Sequence, residues 1–234
     1  MKGMRRFGWL LACVLASVLC SGSANATVHL CSADTKPFYS AQLPQQGPVV
    51  DFIRRAYQSQ GLTVSVEFMS WAQAQKQALA GRCGLVGLWP SAERDQLFVY
   101  SKPLMTMRLG YFAPRAMPSL DAVLRQPQLT LGVQRGAYLN ADVAKQFPNR
   151  LESADIAQAL QQLAKGRVQL VFANREAGLY LLSQSPQLAS QIRYLHDIER
   201  KDAVLAFARQ QHDAPHLIFL FNQGMASLPS LLSF

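Results

Sequence analysis

One segment of this chain occurs twice in modified form, and that repetition constrains the fold more than any other feature. Gln77-Ala-Leu-Ala-Gly-Arg-Cys-Gly-Leu-Val-Gly-Leu-Trp89 is echoed by Gln162-Leu-Ala-Lys-Gly-Arg-Val-Gln-Leu-Val-Phe-Ala-Asn174. Each copy reads as the end of a helix, a Gly-Arg turn, a short apolar strand and a polar or aromatic stop. Glycine suits the turn because it alone enters the left-handed backbone region without steric cost. A solenoid needs three or more copies at a shorter period. Two copies about 85 residues apart predict two similar lobes instead.

The surrounding pattern predicts the class of those lobes. Val28 to Cys31 is a buried strand, closed by a turn at Pro37 and Phe38. Pro48 opens a helix whose apolar positions are Val49, Phe52, Ile53, Ala56 and Tyr57, with Gly61 past its end. Leu62 to Phe68 alternates as a strand, Trp71 to Ala80 is a second helix, and Leu85 to Trp89 is a strand. In the second copy, a helix starting at Ser153 carries Ile156, Leu160 and Leu163 on one face. Strands alternating with helices predict an α/β fold, each lobe a mainly parallel sheet flanked by helices. Leu109 to Pro118 and Ala203 to Ala208 read as two connections between the lobes, which makes a hinge. The expected divisions are lobe 1 at 27–112, lobe 2 at 113–202, and a return at 203–234 whose apolar His216 to Met225 stretch packs as a helix on lobe 1. In open α/β sheets ligands sit beyond the carboxyl ends of the strands, so Trp89 and Asn174 are expected to face a shared cleft.

The N-terminus predicts export. Lys2, Arg5 and Arg6 precede an uncharged apolar run from Phe7 to Leu19, and Ala24-Asn25-Ala26 has the small-x-small form of a cleavage site. The run is shorter than the roughly 20 residues that span a bilayer. Cleavage after Ala26 lowers the formal charge of +9 by three and removes Cys13 and Cys20. The remaining Cys31 and Cys83 lie on strands expected to be neighbours, and an oxidising compartment permits a disulfide between them; two free buried thiols are the alternative. The positive charge is scattered rather than striped, which excludes the usual footprint of a nucleic-acid binder. No metalloprotease, P-loop, dinucleotide or serine-hydrolase motif occurs. His212 and His216 are two histidines without a third ligand, and neither a metal nor a cofactor is expected.

The residues from Trp71 to Leu104 resemble the family 3 extracellular solute-binding proteins, periplasmic receptors for polar amino acids. The counterparts are Trp71, Gly81-Arg82, Leu85 to Trp89, Ser91-Ala-Glu-Arg94 and Val99-Tyr-Ser-Lys-Pro-Leu104; lobe 2 adds Leu131-Gly-Val-Gln-Arg-Gly136 and Leu163-Ala-Lys-Gly-Arg-Val-Gln169. The resemblance extends over most of residues 28 to 210 and implies a type II periplasmic binding fold, a monomer that closes two lobes on a ligand for an inner-membrane ABC-type transporter. It also implies that Arg94 holds a ligand carboxylate, for which a planar guanidinium fork is well shaped. Ser91, Trp89, Asn174, Phe38, Tyr39, Trp71, Arg135 and Gly136 complete the expected ligand set. Arg175 is expected near the same cleft.

Departures from the family pattern bear on the ligand. Asn174 stands where the family carries an aspartate for the ligand ammonium, and asparagine supplies no countercharge. Ala137 replaces a threonine, Leu88 and Trp89 replace small or hydroxyl residues, and Gly84 and Gln169 replace acidic ones. The expected ligand is therefore a carboxylate-bearing anion with an apolar or aromatic part. Two rivals share the fold: a sensory domain acting through a partner, and a dehydratase-like enzyme, for which Glu176 is the candidate acid.

Overall fold

The computed structural model describes residues 26–117, 119–124 and 129–229. Residues 1–25, which carry the expected export signal together with Cys13 and Cys20, lie outside the described residues. No helix among the described residues is long and apolar enough to cross a membrane.

Lobe 1 is built on β1 (Thr27–Ser32), α1 (Pro48–Gln58), β2 (Thr63–Phe68), α2 (Trp71–Leu79), β3 (Gly84–Leu88) and β4 (Phe98–Tyr100). Lobe 2 uses β5 (Met105–Pro114), α3 (Leu120–Leu124), β6 (Thr130–Gln134), α4 (Ala141–Gln146), β7 (Asn149–Ser153), α5 (Ile156–Ala164), β8 (Leu170–Asn174), α6 (Arg175–Ser183) and α7 (Pro186–Gln191). The long β9 (Ile192–Ala208) and α8 (Ala214–Ala226) follow. Strand order is β2-β1-β3-β9-β5-β8-β6-β7, with β4 also on β9. β1 pairs in parallel with β2 and β3, and β6 in parallel with β7 and β8. Both copies of the repeat thus end in a central parallel strand.

The two copies also match at the turn. Gly81 and Gly166 both take φ +70°. Arg82 donates back to the Gln77 side chain at 2.9 Å, and Arg167 to Gln162 at 3.2 Å. Each arginine backbone N–H meets the carbonyl of that same glutamine, at 3.1 and 3.0 Å. A glutamine five residues before the arginine of a Gly-Arg pair therefore closes the helix in either lobe.

β5 and β9 join the lobes. They pair antiparallel from Met105↔Ala203 to Pro114↔Ile192, with register shifts around Gly110. Seventeen residues of strand extend about 55 Å, so β9 serves both sheets: its first part pairs with β5, and Val204 to Ala208 pairs with β3 and β4. The connections read from the sequence at Leu109–Pro118 and Ala203–Ala208 overlap these strands, although Ala203–Ala208 itself lies within the lobe 1 sheet.

Helix boundaries follow side-chain caps. The Ser70 hydroxyl and the Gln73 side chain form a reciprocal capping box at α2. The helix expected from Ser153 starts later: Ser153 ends β7, and the Asp155 carboxylate accepts the Gln158 N–H at 2.7 Å to begin α5. In lobe 1, α1 buries Val49, Val50, Phe52, Ile53, Ala56 and Tyr57. Helix α8 packs on α1, with the Tyr57 and Phe221 rings 5.4 Å apart. Gly224 makes this approach possible, since a Cβ there would lie 1.9 Å from the Ala56 carbonyl oxygen. Cys31 on β1 and Cys83, just ahead of β3, form a disulfide with Cα atoms 5.8 Å apart.

Candidate functional site

The carboxyl ends of β1, β3, β6 and β8 converge between the lobes on a small cavity of about 40 Å³. Lobe 1 contributes Ala33, Thr35, Tyr39, Trp71, Gly87, Trp89 and Arg94. Lobe 2 contributes Gln134, Ala137, Tyr138, Ile156 and Asn174. Arg94 is the one charged side chain in that set, and among the described residues no aspartate or glutamate lines the cavity.

Arg94 is placed by the loop that follows β3. The Ser91 hydroxyl accepts the Arg94 N–H at 3.3 Å and starts the short turn Arg94–Gln96. The Arg94 guanidinium then donates to the Trp89 carbonyl at 2.8 Å, to the Gln75 side-chain oxygen at 3.4 Å and, across the cleft, to the Gly136 carbonyl at 3.4 Å. Among the described residues no carboxylate pairs with it. Burial lowers its pKa from the usual arginine value, against smaller opposing pulls from Tyr100, Glu93 and Tyr138. The result is a cation removed from water and held by neutral acceptors.

The Gly136 carbonyl is where the lobes meet. It accepts from the Trp71 indole N–H at 3.1 Å, the Gln75 amide at 2.8 Å and Arg94. Gly136 turns at φ +71° to present it. Beside this contact Trp89 and Tyr138 meet edge to face, with centroids 6.4 Å apart. The Trp89 indole N–H is buried without an acceptor. Tyr138 connects the cavity to the hinge strand: its hydroxyl donates to Glu199 at 3.2 Å, and the Lys201 ammonium lies 4.4 Å from its ring centroid while pairing with Glu199 at 3.0 Å. Tyr39 is buried against β3, where Gly87 (φ +82°) leaves room for its hydroxyl. Burial pushes that hydroxyl up to about 12, and a hydrogen bond with Thr35 opposes the rise.

Of the residues named from sequence, Tyr39, Trp71, Trp89, Arg94 and Asn174 line the cavity. Ser91 and Gly136 act on Arg94 without lining it. Phe38 packs against the lobe 1 core instead. Arg135 and Arg175 do not line the cavity. Arg135 is exposed and pairs with Glu152 at 3.3 Å, because β6 and β7 run in parallel register with Val133 opposite Glu152. Arg175 lies over the Tyr194 ring at 5.5 Å. Asn174 is already engaged: its side-chain oxygen accepts the Ala177 N–H at 2.7 Å and caps α6, while its amide donates to the Arg108 carbonyl and to Glu176. Glu176 pairs with Arg108 at 2.6 Å and is not part of the lining. Thr35, Gln134, Tyr138 and Ile156 were not singled out from the sequence. The strand-end rule that located Trp89 and Asn174 also points to Gln134, the last residue of β6.

No protein-family model matches the chain, and no curated protein matches it in sequence. Solved structures do match. A histidine kinase sensor domain with similarity to periplasmic binding proteins gives a TM-score of 0.74 at 18% identity, over 86% of this chain and 90% of that chain. An ancestral arginine-binding protein bound to arginine gives 0.73 at 16% identity, over 86% and 92%. The substrate-binding protein of an amino acid ABC transporter gives 0.72 at 17% identity, again over 86% and 92%. At these identities the likeness is one of fold.

Proposed function

From a chain with the two-lobed type II periplasmic binding fold, we propose a periplasmic solute-binding protein that closes on a small carboxylate-bearing anion and delivers it to an ABC-type transporter. The observation that carries this reading is Arg94. Among the described residues it is the single charge lining the interlobe cavity and has no carboxylate partner, and it is partly desolvated. A carboxylate fits a guanidinium bidentately, and charge-assisted bonds are worth about 1.5–3 kcal/mol each. The unpartnered Trp89 indole N–H offers a further donor to an acceptor-rich ligand. Closure follows from differential contact: ligand held by Arg94 on lobe 1 gains from lobe 2 only when the residues that line the cavity from that side, Tyr138 among them, come across.

The lining also bears on which carboxylate. A ligand ammonium would lose water in a cavity that holds no acidic side chain, and Asn174 uses its oxygen as a helix cap. An uncompensated buried charge costs several kcal/mol, so the ligand is an organic anion in preference to a zwitterion. The test is calorimetry with matched pairs, each an amino acid and the 2-oxo acid of the same side chain, on the native protein and Arg94→Ala. The 2-oxo acid is expected to bind more tightly, and Arg94→Ala to weaken it by about 100-fold. Tight binding of the amino acid with Arg94→Ala unaffected would remove the basis of the proposal.

A sensory role on the same cleft is the second reading. It is favoured by the likeness to a sensor kinase domain and by the Tyr138–Glu199–Lys201 cluster, which ties the cavity to the hinge strand. Neither reading is catalytic: the acid considered for an enzyme, Glu176, is neutralised by Arg108.

A further inference from the structure

A second cluster of arginines lies in lobe 2. An open groove of about 390 Å³ runs between α6, α7 and the first residues of β9, with Arg115, Arg175 and Arg193 along it. The Nε atoms of Arg175 and Arg193 are buried and have no hydrogen-bond acceptor. The remaining recorded contacts are neutral: Arg175 lies over the Tyr194 ring, Arg193 donates to the Met117 carbonyl at 2.7 Å, and Arg115 donates to the Ala189 carbonyl at 2.7 Å. None of the three forms an ion pair among the described residues. Glu176, beside Arg175 in sequence, is engaged by Arg108 at 2.6 Å, and Asp197 by the Tyr194 hydroxyl at 2.8 Å. Leu179, Leu182 and Ile192 also line the groove, and of these Leu179 is exposed, at 38%.

Three guanidiniums on one groove without a countercharge repel one another and leave donors unmet. Arginine has five N–H donors and no acceptor, so an anion is the group that resolves both deficits. A dianion with several acceptor oxygens meets three forks better than a single carboxylate does. The exposed Leu179 in the same groove offers an apolar contact to the group that carries the anion. We propose that lobe 2 carries a second binding site, for a phosphate-type dianion attached to an apolar body. Two sources share this chemistry, a soluble organic phosphate and the headgroup of an anionic lipid.

The experiment uses phenyl phosphate, inorganic phosphate and benzenesulfonate in calorimetric titrations. Flotation with phosphatidylcholine vesicles, with and without phosphatidic acid, whose headgroup is a phosphomonoester, forms the other arm. Phenyl phosphate is expected to bind more tightly than inorganic phosphate and more tightly than the singly charged sulfonate. Binding should weaken about tenfold in each of Arg175→Gln and Arg115→Gln, and should persist in Arg94→Ala. Arg115 is exposed, so its variant tests the site without risk to the fold. Flotation that needs phosphatidic acid and is lost in the same variants would assign the lipid source; its absence beside phenyl phosphate binding would assign the soluble one. Failure of phenyl phosphate and of anionic vesicles alike, indifference to both glutamine variants, or loss of binding in Arg94→Ala would each overturn the proposal.

Discussion

The interlobe contact at Gly136 sets a measurable closing energy. Its carbonyl accepts two neutral hydrogen bonds from lobe 1, from Gln75 at 2.8 Å and Trp71 at 3.1 Å, beside the longer one from Arg94. The double variant Trp71→Phe with Gln75→Ala removes both neutral donors; Arg94 loses its long bond to the Gln75 oxygen and keeps those to the Trp89 and Gly136 carbonyls. A neutral hydrogen bond contributes about 0.5–1.5 kcal/mol net, so the pair holds the closed state by about 1–3 kcal/mol. That range corresponds to about a 5- to 150-fold shift of the open–closed equilibrium. These groups meet across the cleft, so the loss falls on closure and not on the folding of either lobe. The expected outcome without ligand is a larger radius of gyration in solution scattering, with an unchanged urea midpoint. Because ligand needs the closed form, apparent affinity should fall by the same factor as the closed population. An unchanged radius together with unchanged affinity would refute the assignment of Gly136 as the latch.

Three further outcomes follow from the fold and its titrating groups. The Cys31–Cys83 disulfide closes a 52-residue separation, for which loop entropy gives about 4 kcal/mol; reduction should lower the urea midpoint accordingly, and an unmoved midpoint would show that the bridge contributes little. Gly224→Ala places a methyl against the Ala56 carbonyl and should cost about 1–3 kcal/mol in the same assay, with detachment of α8 visible as faster hydrogen exchange in α1. The buried Tyr39 hydroxyl titrates at about 12, against 10 when exposed. Its contribution is therefore complete below pH 10 and lost as pH rises from 10 to 12. Tyr39→Phe should flatten that part of the stability profile, and an identical profile in the variant would exclude Tyr39 as a source.

Much of the fold is legible because its signals are local. The Gly-Arg turn, the apolar strand and the glutamine at the helix end sit within one segment, and the backbone at Gly81 and Gly166 is the same. The strand tips were locatable by the general rule for parallel sheets, which is how Trp89, Asn174 and, in hindsight, Gln134 are found. What escapes the sequence depends on how the lobes face each other. Nothing in the order of residues links Gly136 to Gln75, 61 positions earlier, or brings Tyr138 onto Glu199 of the hinge strand. Arg135 has the chemistry of a ligand residue, but parallel register brings Glu152 within reach of it first. Asn174 illustrates a competing local demand: the residue that ends a strand at the cleft also begins a helix, and capping uses its oxygen.

The central claim is that Arg94 holds a ligand carboxylate between two closing lobes. Thermal unfolding of the native protein and of Arg94→Ala across a panel of small carboxylates, each beside its neutral amide, tests it most directly. A ligand bound only by the folded state raises stability by about 2.7 kcal/mol at 100 times its Kd. The account predicts at least one carboxylate that raises the native Tm, whose amide does not, and whose effect disappears in Arg94→Ala. Equal stabilisation by acid and amide, or an equal shift in Arg94→Ala, would contradict it.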